Sequence, residues 1–231
     1  MHELFQKLTH LFTVYCALTG HKAHASPRIN SCCHIDMEAF YHFLSSNSEE
    51  CGKMVAEALD LASETGIHFT SPIVMGHGAA GALSAGDLDS ADEHLGNMAR
   101  YAHSSDWIFI YFNILKTRAA LLEKDFSRAL LEGESAKAYV EASGMPMTDA
   151  VWHQGMAIAW HASDNQTEAS GFLEKALVIS NRMGFHQIAF GCYLTQAEFA
   201  LDAGDEPAAR NSLQKAMAIG KAKQYVLTWF W

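Results

Sequence analysis

Four stretches of this chain are variants of one pattern: GALSAGDLDSADEHL (residues 81–95), ALLEKDFSRALLEG (120–133), AWHASDNQTEASGFL (159–173) and FALDAGDEPAARNSL (199–213). Aligned on one small residue they place Ala91, Ala129, Ala169 and Ala209 in register, 38, 40 and 40 residues apart, and a poorer copy puts Cys51 in the same slot. Each copy reads as the end of one helix, a polar turn and the start of a second helix. A fixed period of this length with two helical segments inside it is the mark of a helical solenoid, in which a unit too small to bury its own apolar edge hides it against the next. The pattern therefore predicts an all-α fold, a right-handed superhelix of antiparallel two-helix repeats. The repeat array covers residues 36–224, a helix and loop precede it (1–35), and a further helix begins at 225–231.

Composition agrees with this reading and narrows the function. With 49% hydrophobic and 18% charged residues and only four prolines, the chain has the makeup of a packed helical domain, not of a disordered segment. The excess of 26 acidic over 16 basic residues, a formal charge of −10, repels phosphate backbones, and the densest basic stretch (Lys215, Lys221, Lys223) sits at a helix end where cations offset the helix dipole. Direct contact with nucleic acid is not expected. No run reaches the roughly 20 apolar residues a membrane span needs. Five cysteines without a CxxC pair fit reduced cytoplasmic thiols. An apolar stretch at 8–18 followed by Ala23-His24-Ala25 imitates a secretion signal, but Glu3 cancels Lys7, and Leu4, Leu8, Leu11, Tyr15 and Leu18 form the stripe of an amphipathic helix spanning residues 2–18.

The units are read as helix pairs at 71–84 with 87–103, 106–123 with 127–143, 148–162 with 167–183, and 186–203 with 206–221, preceded by a short helix at 36–44 and a longer one at 48–64 capped by Ser48. Counting from the aligned residue, the second helices carry apolar or small residues four, seven and ten positions on. The last of these lines is Leu61, Tyr101, Tyr139, Ile179 and Ile219. Ten residues before the aligned position stand Gly81, Ala119, Ala159 and, as the one large exception, Phe199. Gly86, Gly144, Gly184, Gly204 and Gly220 are read as helix-ending or loop residues. The chain closes on YVLTWFW, apolar enough to call for a further helix or a second copy to cover it, since each exposed aromatic forfeits roughly 1.5–3 kcal/mol of burial.

Catalytic and metal chemistry finds little footing. GHGAAG (residues 76–81) lies inside a helix and lacks the strand and the Lys-Ser/Thr of a phosphate loop, so its glycines are read as close-packing positions. Cys32-Cys33-His34-Ile35-Asp36 and His21/His24 could in principle hold zinc, but their spacing matches no closed tetrahedral set, and no metal or cofactor is expected. His94, His103, His153, His161 and His186 are scattered and read as surface or capped histidines. The chemically varied positions lie sixteen and thirteen residues before the aligned one: Met75, Asn113, His153 and Tyr193, then Lys116, Met156 and Gln196. Mixed polar and aromatic residues on the first helices suit a concave groove for a ligand or peptide.

The unit GALSAGDLDSADEHLGNMARYA, the later LDAGDEPAARNSLQKAMAIGKAKQYV and the closing WFW resemble the tetratricopeptide-like superhelical region of MalT-type regulators, over about residues 48–231. Those are large signal-transduction ATPases that activate transcription. The resemblance implies a non-catalytic, cytoplasmic sensor arm that takes a small-molecule inducer, a peptide or a protein partner. Neither a GxxxxGK[ST] motif nor a basic recognition helix is present, so neither ATP hydrolysis nor operator binding is assigned to this chain. A stand-alone scaffold binding a peptide or protein is the alternative expectation.

Overall fold

A computed structural model describes residues 27–44, 47–223 and 225. The expected helix at 2–18, the His21/His24 pair and the closing WFW lie outside the described residues. The described residues form ten α-helices, one short 3-10 helix and no strand: α1 (Pro27–Leu44), α2 (Ser48–Thr65), α3 (Ser71–Ala85), α4 (Leu88–Met98), the 3-10 turn Ala99–Tyr101, α5 (Asp106–Leu122), α6 (Phe126–Ser143), α7 (Pro146–Ala162), α8 (Gln166–Met183), α9 (His186–Asp202) and α10 (Glu206–Lys223). The protein is thus all-α and helical-repeat-like. None of these helices is long and apolar enough to cross a membrane.

Every pair is joined by the same turn, and its chemistry explains the period. Four residues before the aligned position stands an Asx residue (Asn47, Asp87, Asp125, Asn165, Asp205) whose side-chain oxygen accepts the N–H three residues on, at 3.0–3.3 Å. That bond satisfies one of the N–H groups that a helix start leaves without a partner. The backbone N–H of the same residue closes the preceding helix by donating five residues back, to His42, Ala82, Ala120, Trp160 and Ala200, at 2.8–3.0 Å. The residue before the Asx holds a left-handed backbone in the four copies from Gly86 onward: Gly86 (φ 74°), Lys124 (61°), Asp164 (60°) and Gly204 (73°). Asn47, and not the expected Ser48, therefore caps α2, because it is the residue in this register.

Each hairpin packs first on itself, its second helix then meets the first helix of the next pair, and successive first helices also touch. The aligned residues Cys51, Ala91, Ala129 and Ala169 are fully buried and Ala209 nearly so. The third buried line is eleven, not ten, residues on: Ala62, Ala102, Val140 and Ser180 are at most 4% exposed, whereas Tyr139 is exposed and Leu61, Tyr101, Ile179 and Ile219 are only half-buried. Helix geometry is the reason, since at 100° per residue position eleven returns to within about 20° of the start and position ten misses it by about 80°.

Three further boundaries differ from the expectation. α1 starts at Pro27 instead of residue 36, with proline in the first turn, where its missing N–H costs nothing. Buried Cys33, Asp36, Ala39 and Phe43 give it a continuous inner face. The one 38-residue interval coincides with α4, which ends early in 3-10 geometry without the left-handed glycine (Gly66, Gly144, Gly184) that closes α2, α6 and α8. Gly220 does not end a helix: it lies inside α10, where a Cβ would come within 3.1 Å of the Phe190 ring. The glycines of GHGAAG do act as close-packing positions, Gly76 against Tyr111, Gly78 against His94 and Gly81 against Cys51.

Candidate functional site

Successive first helices are stitched by polar side chains. Asp36 on α1 faces His77 on α3 (Oδ1 to Nε2, 3.4 Å), and His77 Nδ1 meets the Tyr111 hydroxyl on α5 at 3.1 Å. Arg118 on α5 donates back to the Ala80 carbonyl (3.3 Å) and to Ser84 Oγ (3.0 Å) on α3. Gln154 on α7 reaches Thr195 on α9 at 3.5 Å, and His161 Nε2 on α7 lies 2.7 Å from Asp202 Oδ2 on α9. Burial dominates the electrostatics of the first two contacts. It raises the Asp36 carboxyl to about 7, lowers the His77 imidazole to about 3, pushes the Tyr111 hydroxyl well up and brings Arg118 down to about 10. Asp36, His77 and Tyr111 have the residue types of a proton relay, but each is at most 7% exposed, so no substrate atom reaches them. The thiols of Cys51 and Cys192 are likewise raised by burial, to about 11 and about 12, the wrong direction for a nucleophile.

The accessible feature is a cleft of about 1280 Å³ between α7, α8 and α9, opening where their hairpin turns gather. Its apolar wall includes Leu173 and Leu177 of α8 and Ile158 of α7, and its rim carries Glu174, Glu198 and Lys124. At its centre the Phe199 ring lies flat on His161, with centroids 3.9 Å apart and planes at 12°. Both imidazole nitrogens are engaged, since Nδ1 sits 2.8 Å from Gln166 Oε1 while Nε2 faces Asp202. The Glu198 carboxyl is raised by partial burial and by the neighbouring Asp202 charge, with His161 opposing.

The same seam exists two pairs earlier, between α4 and α5, where Leu95, Lys116 and Ala119 hold the register positions of Leu173, Gln196 and Phe199. There the cleft is only about 330 Å³. The small residues at this register pack on the preceding second helix: a Cβ on Gly81 would come within 3.1 Å of Cys51 Sγ, and Ala159 packs with Ala129. Phe199 replaces the small residue, and its ring turns onto His161. The exception in the sequence lines the cleft of about 1280 Å³.

The seven residues expected to line a groove are not brought together. Met156 is fully buried against Gly133, and Asn113, 3% exposed, donates Nδ2 to the Phe109 carbonyl at 2.8 Å, so neither is open to a ligand. Met156 thus meets the neighbouring α6 and Asn113 bonds back along its own helix, and each of the other five has contacts of its own. Lys116 pairs with Glu132 on α6, and half-buried Met75 packs against the core. His153 lies 2.8 Å from Asp149 Oδ1 with its ring against Phe172. Tyr193 has Lys215 over its ring at 5.5 Å, and Gln196 accepts from Ser212 Oγ at 2.9 Å. Only Gln196 reaches the large cleft and Lys116 the small one. Sequence reasoning missed His161 and Asp202, whose contact spans 41 residues, although Phe199 stood out as an oddity. Among the described residues no three His, Cys, Asp or Glu side chains converge as a metal site, and Cys33 and Asp36 are buried in α1. No protein-family model matches the chain, and no curated protein matches it.

Proposed function

We propose that this chain is a non-catalytic sensor segment of a larger bacterial transcriptional regulator, binding a small-molecule inducer, a peptide or a protein partner in the α7–α9 cleft. In this reading the helix pairs wind as a right-handed superhelix of tetratricopeptide-like repeats in the cytoplasm, as the resemblance to MalT-type sensor regions implies. The carrying observation is the cleft itself. It is about 1280 Å³, larger than the 300–1,000 Å³ of ordinary ligand pockets, with an apolar wall and a few convergent polar groups around a stacked His161–Phe199 pair. A preformed cleft of this kind supports binding, while the buried, neutral-leaning Asp36–His77 pair and the raised thiols support no catalytic role.

Thermal-shift screening of the full chain against metabolites and short peptides tests the reading. A ligand at a hundred times its Kd adds about 2.7 kcal/mol, a rise of roughly 5–10 °C for a domain of this size. Phe199→Ala and His161→Ala should abolish that rise, whereas His153→Ala and Tyr193→Ala should leave it. A hit whose shift survives Phe199→Ala, or that the chain turns over, removes the cleft from the proposal.

A further inference from the structure

Charge is not spread evenly over the seams between helix pairs. The α7–α9 cleft is lined by four carboxylates, Asp164, Glu174, Glu198 and Asp202, against one lysine, Lys124. The equivalent seam between α4 and α5 has the opposite balance, Lys116 and Arg128 against Asp92. Each of those two cations already pairs with a carboxylate, Lys116 with Glu132 and Arg128 with Glu123. The acidity of the large cleft is therefore local and does not simply mirror the acidic excess of the whole chain. Glu198 is half-buried on α9 next to Phe199, where burial and the Asp202 charge both raise its carboxyl. The charge that opposes them, His161, already faces Asp202 at 2.7 Å. A carboxylate so placed has lost part of its water without gaining a strong partner, and a cation brought in by a ligand would make good that loss.

Resting on the cleft reading above, we propose that the ligand is a small organic cation, with an ammonium or guanidinium head beside Glu198 and an apolar body against Ile158, Leu173 and Leu177. Charge selects the sign. Four carboxylates repel an anion, and both His161 nitrogens already face oxygens, so the imidazole has no free N–H to offer one. The apolar wall selects an organic body over a bare metal ion, and among the described residues no three His, Cys, Asp or Glu side chains converge on one point. Length selects a small molecule over a docked helix. The parts of α7 and α9 that line the cleft, 158–162 and 196–203, rise only about 6 and 10 Å at 1.5 Å per residue, about two helical turns at most.

The test uses the full chain and three probes that share one phenylalkyl body: 4-phenylbutylammonium, the neutral 4-phenylbutan-1-ol and the anionic 4-phenylbutanoate. Titration followed by protein NMR shifts and thermal melting should show the ammonium binding about tenfold or more tightly than the alcohol at low salt, and the carboxylate more weakly than either. The preference should shrink as salt rises. Glu198→Gln keeps the size of the side chain and should bring the ammonium down to the affinity of the alcohol, leaving the alcohol unchanged. Asp92→Asn, in the small cleft, should alter neither. Equal binding of ammonium and alcohol, no binding of the ammonium, or a preference that survives Glu198→Gln overturns the proposal. So does a twelve-residue peptide with one lysine and one phenylalanine that displaces the ammonium at tenfold lower concentration, since the occupant would then be polypeptide. Phe199→Ala separates this proposal from the reading beneath it. If it abolishes binding of the ammonium and the alcohol alike while the two bind equally to the parent chain, the cleft stands and only the choice of a cation fails. If binding ignores Phe199→Ala, the cleft itself is lost.

Discussion

Asp36 and His77 occupy one buried space, and each is shifted toward its uncharged form for the same reason, loss of water. Their effects on stability have opposite sign. The folded chain holds the Asp36 proton up to about 7 against 3.8 for the ordinary carboxyl, so Asp36 costs increasing stability as pH rises from about 4 to 7. His77 resists protonation down to about 3 against 6.5, so it costs increasing stability as pH falls from 6.5 toward 3. Between pH 4 and 6.5 the two slopes oppose each other. Urea unfolding of Asp36→Asn should therefore show a stability gain over the parent that grows as pH rises through 4–7, by up to about 1.4 kcal/mol per pH unit. His77→Gln should gain on the parent as pH falls through 6.5–3. Parallel pH profiles for all three proteins would mean that the pair is not the buried, mutually uncharged contact described. Nothing in the sequence announces it: Asp36, His77 and Tyr111 come from three different helices, and only the stacking of α1, α3 and α5 joins them.

Turns, in contrast, were legible in advance. The Gly-Asp step of GALSAGDLDSADEHL is the left-handed residue plus the Asx cap, and it recurs because an antiparallel pair needs one helix closed and the next opened within two residues. What the sequence could not rank was which first-helix positions face solvent. The lines thirteen and sixteen residues before the aligned one vary in chemistry, yet they vary because each meets a different neighbour, Gly133 for Met156 and Ser212 for Gln196. The left-handed slot yields a direct prediction, since Lys124 (φ 61°) holds it where Gly86 (φ 74°) does elsewhere. A side chain there costs roughly 1–2 kcal/mol, and glycine's greater freedom in the unfolded chain returns about 0.4–1 of it. Lys124→Gly should accordingly raise unfolding stability by about 0.5–1 kcal/mol, and Gly86→Ala should lower it by about 1 kcal/mol or more. Denaturant midpoints decide, and a loss on Lys124→Gly would show that the turn geometry is not what limits stability there.

Across the described residues, contacts run between adjacent pairs and their first helices, and one continuous core extends along them from Ile35 to Cys192. The period in the sequence anticipated this, because copies of one unit can repeat only if each meets the same kind of neighbour. The cleft is the departure from that sameness, and Phe199, large where other pairs carry a small residue, lines it stacked on His161 of the preceding pair. Among the described residues, α9–α10 packs on α7 and α8, and it can open while the inner pairs stay closed. Phe190 is buried in this pair beside Gly220 and Tyr225, and Leu115 is fully buried in α5. Native-state hydrogen exchange followed by mass spectrometry should show Phe190→Ala accelerating exchange across α9 and α10, by more than about a hundredfold for the roughly 3–5 kcal/mol such a truncation costs, while α5 and α6 keep their protection. Leu115→Ala should do the reverse, loosening α5 and α6 and leaving the opening of α9–α10 unchanged. If Phe190→Ala instead speeds exchange equally in every helix, the pairs form one cooperative unit and the neighbour-by-neighbour account of this chain fails.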